Sequence, residues 1–134
     1  MEKRILAAAV LSALFVLTPG MAQENVDNSG VLGKWKIEIY ADGQYYYLTM
    51  ELTEAEGKLE GTVSESQGTF TDRALENEAF DGTTLSFEFN SPTPPDGLER
   101  LLRAEFKLLE GKLDGTITVP AMGVTVRATA AKEM

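Results

Sequence analysis

Glu56-Gly57-Lys58-Leu59-Glu60-Gly61-Thr62-Val63 returns fifty-four positions later as Glu110-Gly111-Lys112-Leu113-Asp114-Gly115-Thr116-Ile117. In each copy an alternating stretch enters a Glu-Gly pair and a second alternating stretch leaves it. This is the pattern of a β-hairpin in which glycine supplies the positive φ of a tight reversal. The match extends upstream, where Leu48, Met50 and Leu52 correspond to Leu102, Ala104 and Phe106, so the two hairpins present equivalent inward faces. Phe80-Asp81-Gly82-Thr83-Thr84-Leu85-Ser86-Phe87 is a looser third version whose turn is one residue longer.

Outward from these hairpins, period-two alternation defines the remaining strands. Strand A, 33–40, sets Trp35, Ile37 and Ile39 against Lys34, Lys36 and Glu38. After a reversal at Asp42-Gly43, strand B turns Tyr46, Leu48, Met50 and Leu52 inward and Tyr45, Tyr47, Thr49 and Glu51 outward. Strand C turns Leu59, Gly61 and Val63 inward. Glycine weakens a strand, so its return at Gly115 marks a coil in the sheet or a close approach of neighbouring groups. Residues 64–73 read as a polar connection, followed by strand D with Leu75 and Ala79 inward in a register left open. Strand E is clear, with Leu85, Phe87 and Phe89 inward, and Ser91 to Gly97, carrying Pro92, Pro94 and Pro95, is expected to break the sheet.

Residues 98–109 are good helix formers, and Leu98, Leu101, Leu102 and Leu109 can share a helical stripe. Their correspondence to strand B and their direct run into the second Glu-Gly turn favour strand F instead. Strand G follows with Leu113, Gly115, Ile117 and Val119 inward. A turn at Pro120-Ala121 leads to strand H, with Met122, Val124, Val126, Ala128 and Ala130 inward and Arg127 on the other face. Eight strands in strict succession give an all-β fold, an eight-stranded antiparallel up-and-down β-barrel with no substantial helix after residue 22. Its apolar inward and charged outward faces are the reverse of an outer-membrane barrel.

Residues 1–22 read as a secretory signal peptide: Glu2-Lys3-Arg4, an apolar run from Ile5 to Leu17, then Gly20 and Ala22 as the small residues ahead of cleavage. The run is short for a membrane span, which needs roughly 20 residues, although an uncleaved anchor is the competing reading. Cleavage after Ala22 would place the mature chain in the periplasm or outside the cell. Residues 23–30, QENVDNSG, form a flexible N-terminal arm, and 31–132 suit a single barrel domain.

Removing Glu2, Lys3 and Arg4 takes the formal net charge from −9 to −10, which disfavours nucleic acid and anionic lipid as partners. The chain has no Cys and no His, which removes disulfides, thiolate metal sites, thiol nucleophiles and the commonest general base. No Asp-x-Asp-x-Asp-Gly calcium loop occurs. The sequence therefore assigns no catalytic residue, metal ligand or cofactor.

Gly33-Lys34-Trp35 at the head of the first strand, the G-x-L-x-G hairpins, the D-G-x-x-L-S-F stretch of strand E and Arg127 in the last strand resemble small secreted bacterial lipocalin-like domains of the calycin type. The resemblance spans roughly residues 31–132. It implies that Trp35 packs at the closed end of the barrel with Arg127 laid across it as a closure pair. The chain departs from the pattern in lacking a disulfide and a C-terminal helix and in being short. Avidin-like barrels also begin with Gly and Trp, but a single Trp does not supply the aromatic set of such a biotin site.

Two functional readings follow. One is a non-catalytic protein that takes a small apolar ligand among Trp35, Tyr46, Met50, Phe87, Phe89 and Phe106, residues that would equally serve as a filled core. The other is a protein-interaction module, a secreted inhibitor or envelope-associated partner, that presents the arm and the Pro-rich loop on a filled barrel.

Overall fold

The computed structural model describes residues 27–133. The signal-peptide reading of 1–22 and residues 23–26 of the arm lie outside the described residues. Among the described residues nine strands form one antiparallel sheet: β1 (Gly33–Ala41), β2 (Gln44–Ala55), β3 (Lys58–Glu65), β4 (Arg73–Ala74), β5 (Glu76–Phe80), β6 (Thr84–Thr93), β7 (Leu98–Leu109), β8 (Lys112–Val119) and β9 (Val124–Lys132). The spatial order is β4-β3-β2-β1-β9-β8-β7-β6-β5. First and last strands pair from Arg127↔Tyr40 to Lys132↔Trp35. The two edge strands are separated in the chain by Leu75 alone, so the sheet is an all-β, nearly closed barrel compatible with a calycin-like fold. No described helix is long and apolar enough to cross a membrane.

The repeated hairpins adopt identical registers, with Leu52 opposite Gly61 and Phe106 opposite Gly115. Their turns also match. Glu56 and Gly57 have φ of 54° and 82°, Glu110 and Gly111 52° and 80°, and Asp42-Gly43 in the first reversal repeats the pattern with 54° and 76°. Two successive positive φ values give the twist that joins right-twisted strands through two residues. The Phe80–Phe87 version has its longer turn, held by Asp81 Oδ1 accepting from the N–H groups of Thr83 and Thr84 at 2.9 and 2.7 Å.

Strand D departs from expectation. It splits at Leu75 into β4, which pairs with β3, and β5, which pairs with β6, and this makes nine strands rather than eight. Leu75 is buried and its N–H donates to the Gly61 carbonyl at 2.9 Å. A register shift between Glu76 and Ala79, with Asn77 at φ 54°, inserts one residue and reverses the alternation. Ala79, expected inward, is therefore exposed, and Phe80 packs against the core in its place. The connection read as polar also contributes Phe70, which is buried.

The Pro-rich segment does not end β6 where expected, since Ser91, Pro92 and Thr93 pair with Arg100, Glu99 and Leu98. β5 accompanies β6 only as far as Glu88, so Pro92 sits where the strand has a free side and its missing N–H deprives no neighbour. Arg73 covers this side. Its guanidinium donates to the Asn90 carbonyl at 2.9 Å and forks onto both Glu99 carboxylate oxygens at 2.9 Å.

Residues 98–109 are a strand, with buried Leu102, Ala104 and Phe106 alternating with exposed Arg103, Glu105 and Lys107. The last strand begins at Val124, after a single 3-10 turn over Pro120–Met122. Met122 and Val124, expected inward, are 38% and 40% exposed; Met122 lies in the turn and Val124↔Val119 is the terminal pair of the ladder. Ala128 and Ala130 are buried as expected.

A Cβ at Gly115 would lie 1.8 Å from the Glu105 carbonyl oxygen and 2.7 Å from Phe106 Cα, and at Gly61 2.6 Å from the Glu51 oxygen. Gly111 has open space around its Cβ position. We expect Gly115→Ala to lower stability by roughly 3 kcal/mol or more, the range of severe single substitutions. Gly61→Ala should cost less, and Gly111→Ala about 1 kcal/mol from its positive φ alone. Urea midpoints of the three variants check the order.

Candidate functional site

The barrel interior is filled by its own side chains. Among the six residues proposed to line a ligand cavity, Trp35, Met50, Phe89 and Phe106 are 0% exposed and Phe87 is 1%, so no space wide enough for a water borders them. Phe87 lies 6.1 Å from Phe89 and 6.2 Å from Phe106, and Phe70 lies 6.3 Å from Phe89, within the range of favourable aromatic contact. Tyr46, the sixth, is half-buried, and its hydroxyl donates to Gln44 Oε1 at 3.2 Å.

Trp35 is tied in by hydrogen bonds as well as by burial. Its indole N–H donates to the Val31 carbonyl at 2.9 Å, the Val31 N–H to the Asn28 carbonyl at 3.0 Å, and the Asn28 amide to Glu54 at 2.7 Å. Asn28, in the segment 23–30 read as a flexible arm, is thus docked on the barrel and buried, as is Val31 at the start of the domain.

The cation over the indole is Lys132, whose Nζ is 5.2 Å from the ring centroid, rather than Arg127. Strand parity is the reason. Lys132 is the cross-strand partner of Trp35, whereas Arg127 is opposite Tyr40 on the outer face and pairs with Asp114 at 3.0 Å.

The Pro-rich loop is tightly tied. Arg100 forks onto both Asp96 oxygens at 2.8 Å and reaches Thr93 Oγ1 at 2.6 Å. The Gly97 N–H donates to the Thr93 carbonyl at 2.8 Å. The Arg100 fork, helped by the Leu98 N–H, holds the Asp96 carboxyl well below the usual carboxylate range. Arg73 lowers Glu99, and the Asn77 amide followed by Arg103 lowers Glu88. Among the described residues no group of three or more His, Cys, Asp or Glu could hold a metal ion.

A groove lies on the outside of the barrel. Its volume is about 610 Å³, it is lined by Lys36, Glu38, Tyr47, Thr129, Asp114 and Lys112, among others, and none of the six proposed interior residues borders it. The pairings explain its shape: Thr129 and Ala131, small side chains on β9, lie between Glu38 and Lys36 of β1 and Asp114 and Lys112 of β8. Tyr47, opposite Glu38, forms one wall. Tyr47 also ends a row of exposed rings. Tyr45 stacks on it at 6.5 Å with an interplanar angle of 18°, and Tyr40 lies 5.0 Å from Tyr45.

The three tyrosines are 51%, 56% and 37% exposed for Tyr40, Tyr45 and Tyr47. Isolated exposed rings are ordinary, whereas these three adjoin one another. The sequence places Tyr45 and Tyr47 outward, yet only the pairing of β1 with β2 shows that Tyr40 joins them. No family model, curated protein or solved structure matches the chain.

Lys132→Ala should cost about 0.5–2 kcal/mol and shift Trp35 emission, whereas Arg127→Ala should leave the emission unchanged and cost no more than about 1 kcal/mol. Fluorescence-monitored unfolding separates the two. Because Asp81, Glu88, Asp96 and Glu99 are all lowered in the folded state, their stabilisation is complete above the unfolded carboxylate range, near pH 4, and is lost as pH falls from there through their lower folded values. Thermal melts should show a plateau above about pH 5 and a falling midpoint below about pH 4.

Proposed function

We propose that this is a non-catalytic, lipocalin-like binding protein that engages its ligand on the outside of a filled barrel. The supporting observation is the pairing of a core whose large residues leave no room with an outer face that has both a groove and three adjoining tyrosines. A rigid sheet is a suitable platform, because residues locked by cross-strand pairing lose little entropy when they bind. The signal-peptide reading of residues 1–22 adds export to the periplasm or beyond. A chain without Cys or His fits binding better than acid–base or nucleophilic chemistry.

The competing reading, a small apolar ligand in the barrel, requires Phe87, Phe89 and Phe106 to separate. Titration with N-phenyl-1-naphthylamine, followed by Trp35 emission, decides between them. We expect no saturable change, and one-to-one quenching would overturn the outer-surface reading. In amide spectra recorded with a periplasmic extract, broadening should centre on Tyr40, Tyr45 and Tyr47 and disappear in the Tyr40→Ser, Tyr45→Ser, Tyr47→Ser variant. Broadening elsewhere, or none, would count against it.

A further inference from the structure

We propose that the outer groove and its tyrosine row bind a neutral polysaccharide chain, an inference that rests on the outer-surface reading above and names its ligand class. Three observations converge on a polyhydroxylated, uncharged occupant. The groove volume of about 610 Å³ falls in the range of sites for small organic ligands, and its floor of Thr129 and Ala131 lets a ring approach the sheet.

The groove walls carry both signs, Lys36 and Lys112 against Glu38 and Asp114, the last also held by Arg127. A ligand of either charge meets repulsion from half of them. Sugar hydroxyls can both donate to the carboxylates and accept from the ammonium groups. The strongly acidic chain adds a long-range bias against anionic polymers.

The tyrosines supply the apolar half of sugar recognition. An aromatic face is electron-rich, and it attracts the weakly positive C–H groups on the flat side of a pyranose. Lys36 Nζ, 5.2 Å from the Tyr47 ring centroid, steadies that ring at the groove wall. Tyr45, whose plane is 18° from that of Tyr47, and Tyr40, tilted 55° from Tyr45, continue the row at 6.5 and 5.0 Å, so a chain of sugar units meets further aromatic surface beyond the groove. A chain rather than a single sugar is implied because the row extends beyond the groove.

The test uses the full exported chain, uniformly labelled with nitrogen-15, titrated separately with cellohexaose, maltohexaose and chitohexaose, and with hexagalacturonate as the anionic comparator. At least one neutral hexamer should give saturable amide shifts at Lys36, Tyr47, Thr129 and Ala131. Tyr47→Ala should weaken that binding at least tenfold. Ala131→Leu, which fills the floor from the solvent side, should abolish it with the remaining spectrum unchanged.

Hexagalacturonate binding as tightly at the same residues would overturn the proposal in favour of plain charge attraction, as would shifts outside this face. If all three neutral hexamers fail while extract-induced broadening persists on the tyrosine face, the ligand class falls and the outer-surface reading stands. If both fail, both fall.

Discussion

The barrel depends on two places where strands approach so closely that a side chain is excluded. At Gly115 the missing Cβ leaves room for the Glu105 carbonyl, and at Gly61 for that of Glu51. Both glycines face the strand they pair with in the same register, so each hairpin coils tightly at the same point along its length. A flat sheet of this many strands would leave two long edges. Two coiled hairpins, joined by the pairing of β1 with β9, bring those edges round until only Leu75 separates them.

Everything inside follows from that closure. The rings of Phe87, Phe89 and Phe106, with Trp35 and Met50, occupy the space that a wider barrel would leave to a ligand. Their packing leaves the outer face as the place where the proposed binding surface would lie. Each strand has two faces, and once one is wholly committed to the core the other carries whatever chemistry the protein offers its surroundings. On β1, β2, β8 and β9 that chemistry is aromatic, small and mixed in charge, whereas β7 turns out Arg103, Glu105 and Lys107.

The sequence was legible wherever a single period ran unbroken. The repeated Glu-Gly turns, the strand assignment of 98–109 and the inward residues of β1, β2, β6 and β8 could be read directly because alternation and turn chemistry agreed. It failed where an irregularity reset the period. A positive φ at Asn77 exchanged Ala79 for Phe80, and Phe70 lay in a connection with no period to read. Arg127 was given to Trp35 by resemblance, although its own parity put it on the outer face. The outer groove was invisible for another reason: it is built from residues on five strands, and only their pairing shows that Tyr47, Thr129 and Lys112 share one surface.

The likeness of β3 and β8 sets a discrimination problem during folding, because β3 could pair with β7, or β8 with β2, in the same register and with the same glycine in place. Side-chain volume keeps the partners apart. Met50 lies opposite Val63, whereas Ala104 lies opposite Ile117, so a larger residue meets a smaller one in each correct pair. Exchange would press Met50 against Ile117 in one hairpin and leave Ala104 beside Val63 with a void in the other, and both errors are destabilising. The same complementarity opposes exchange of hairpins between two chains, the route by which internally repeated proteins form swapped dimers.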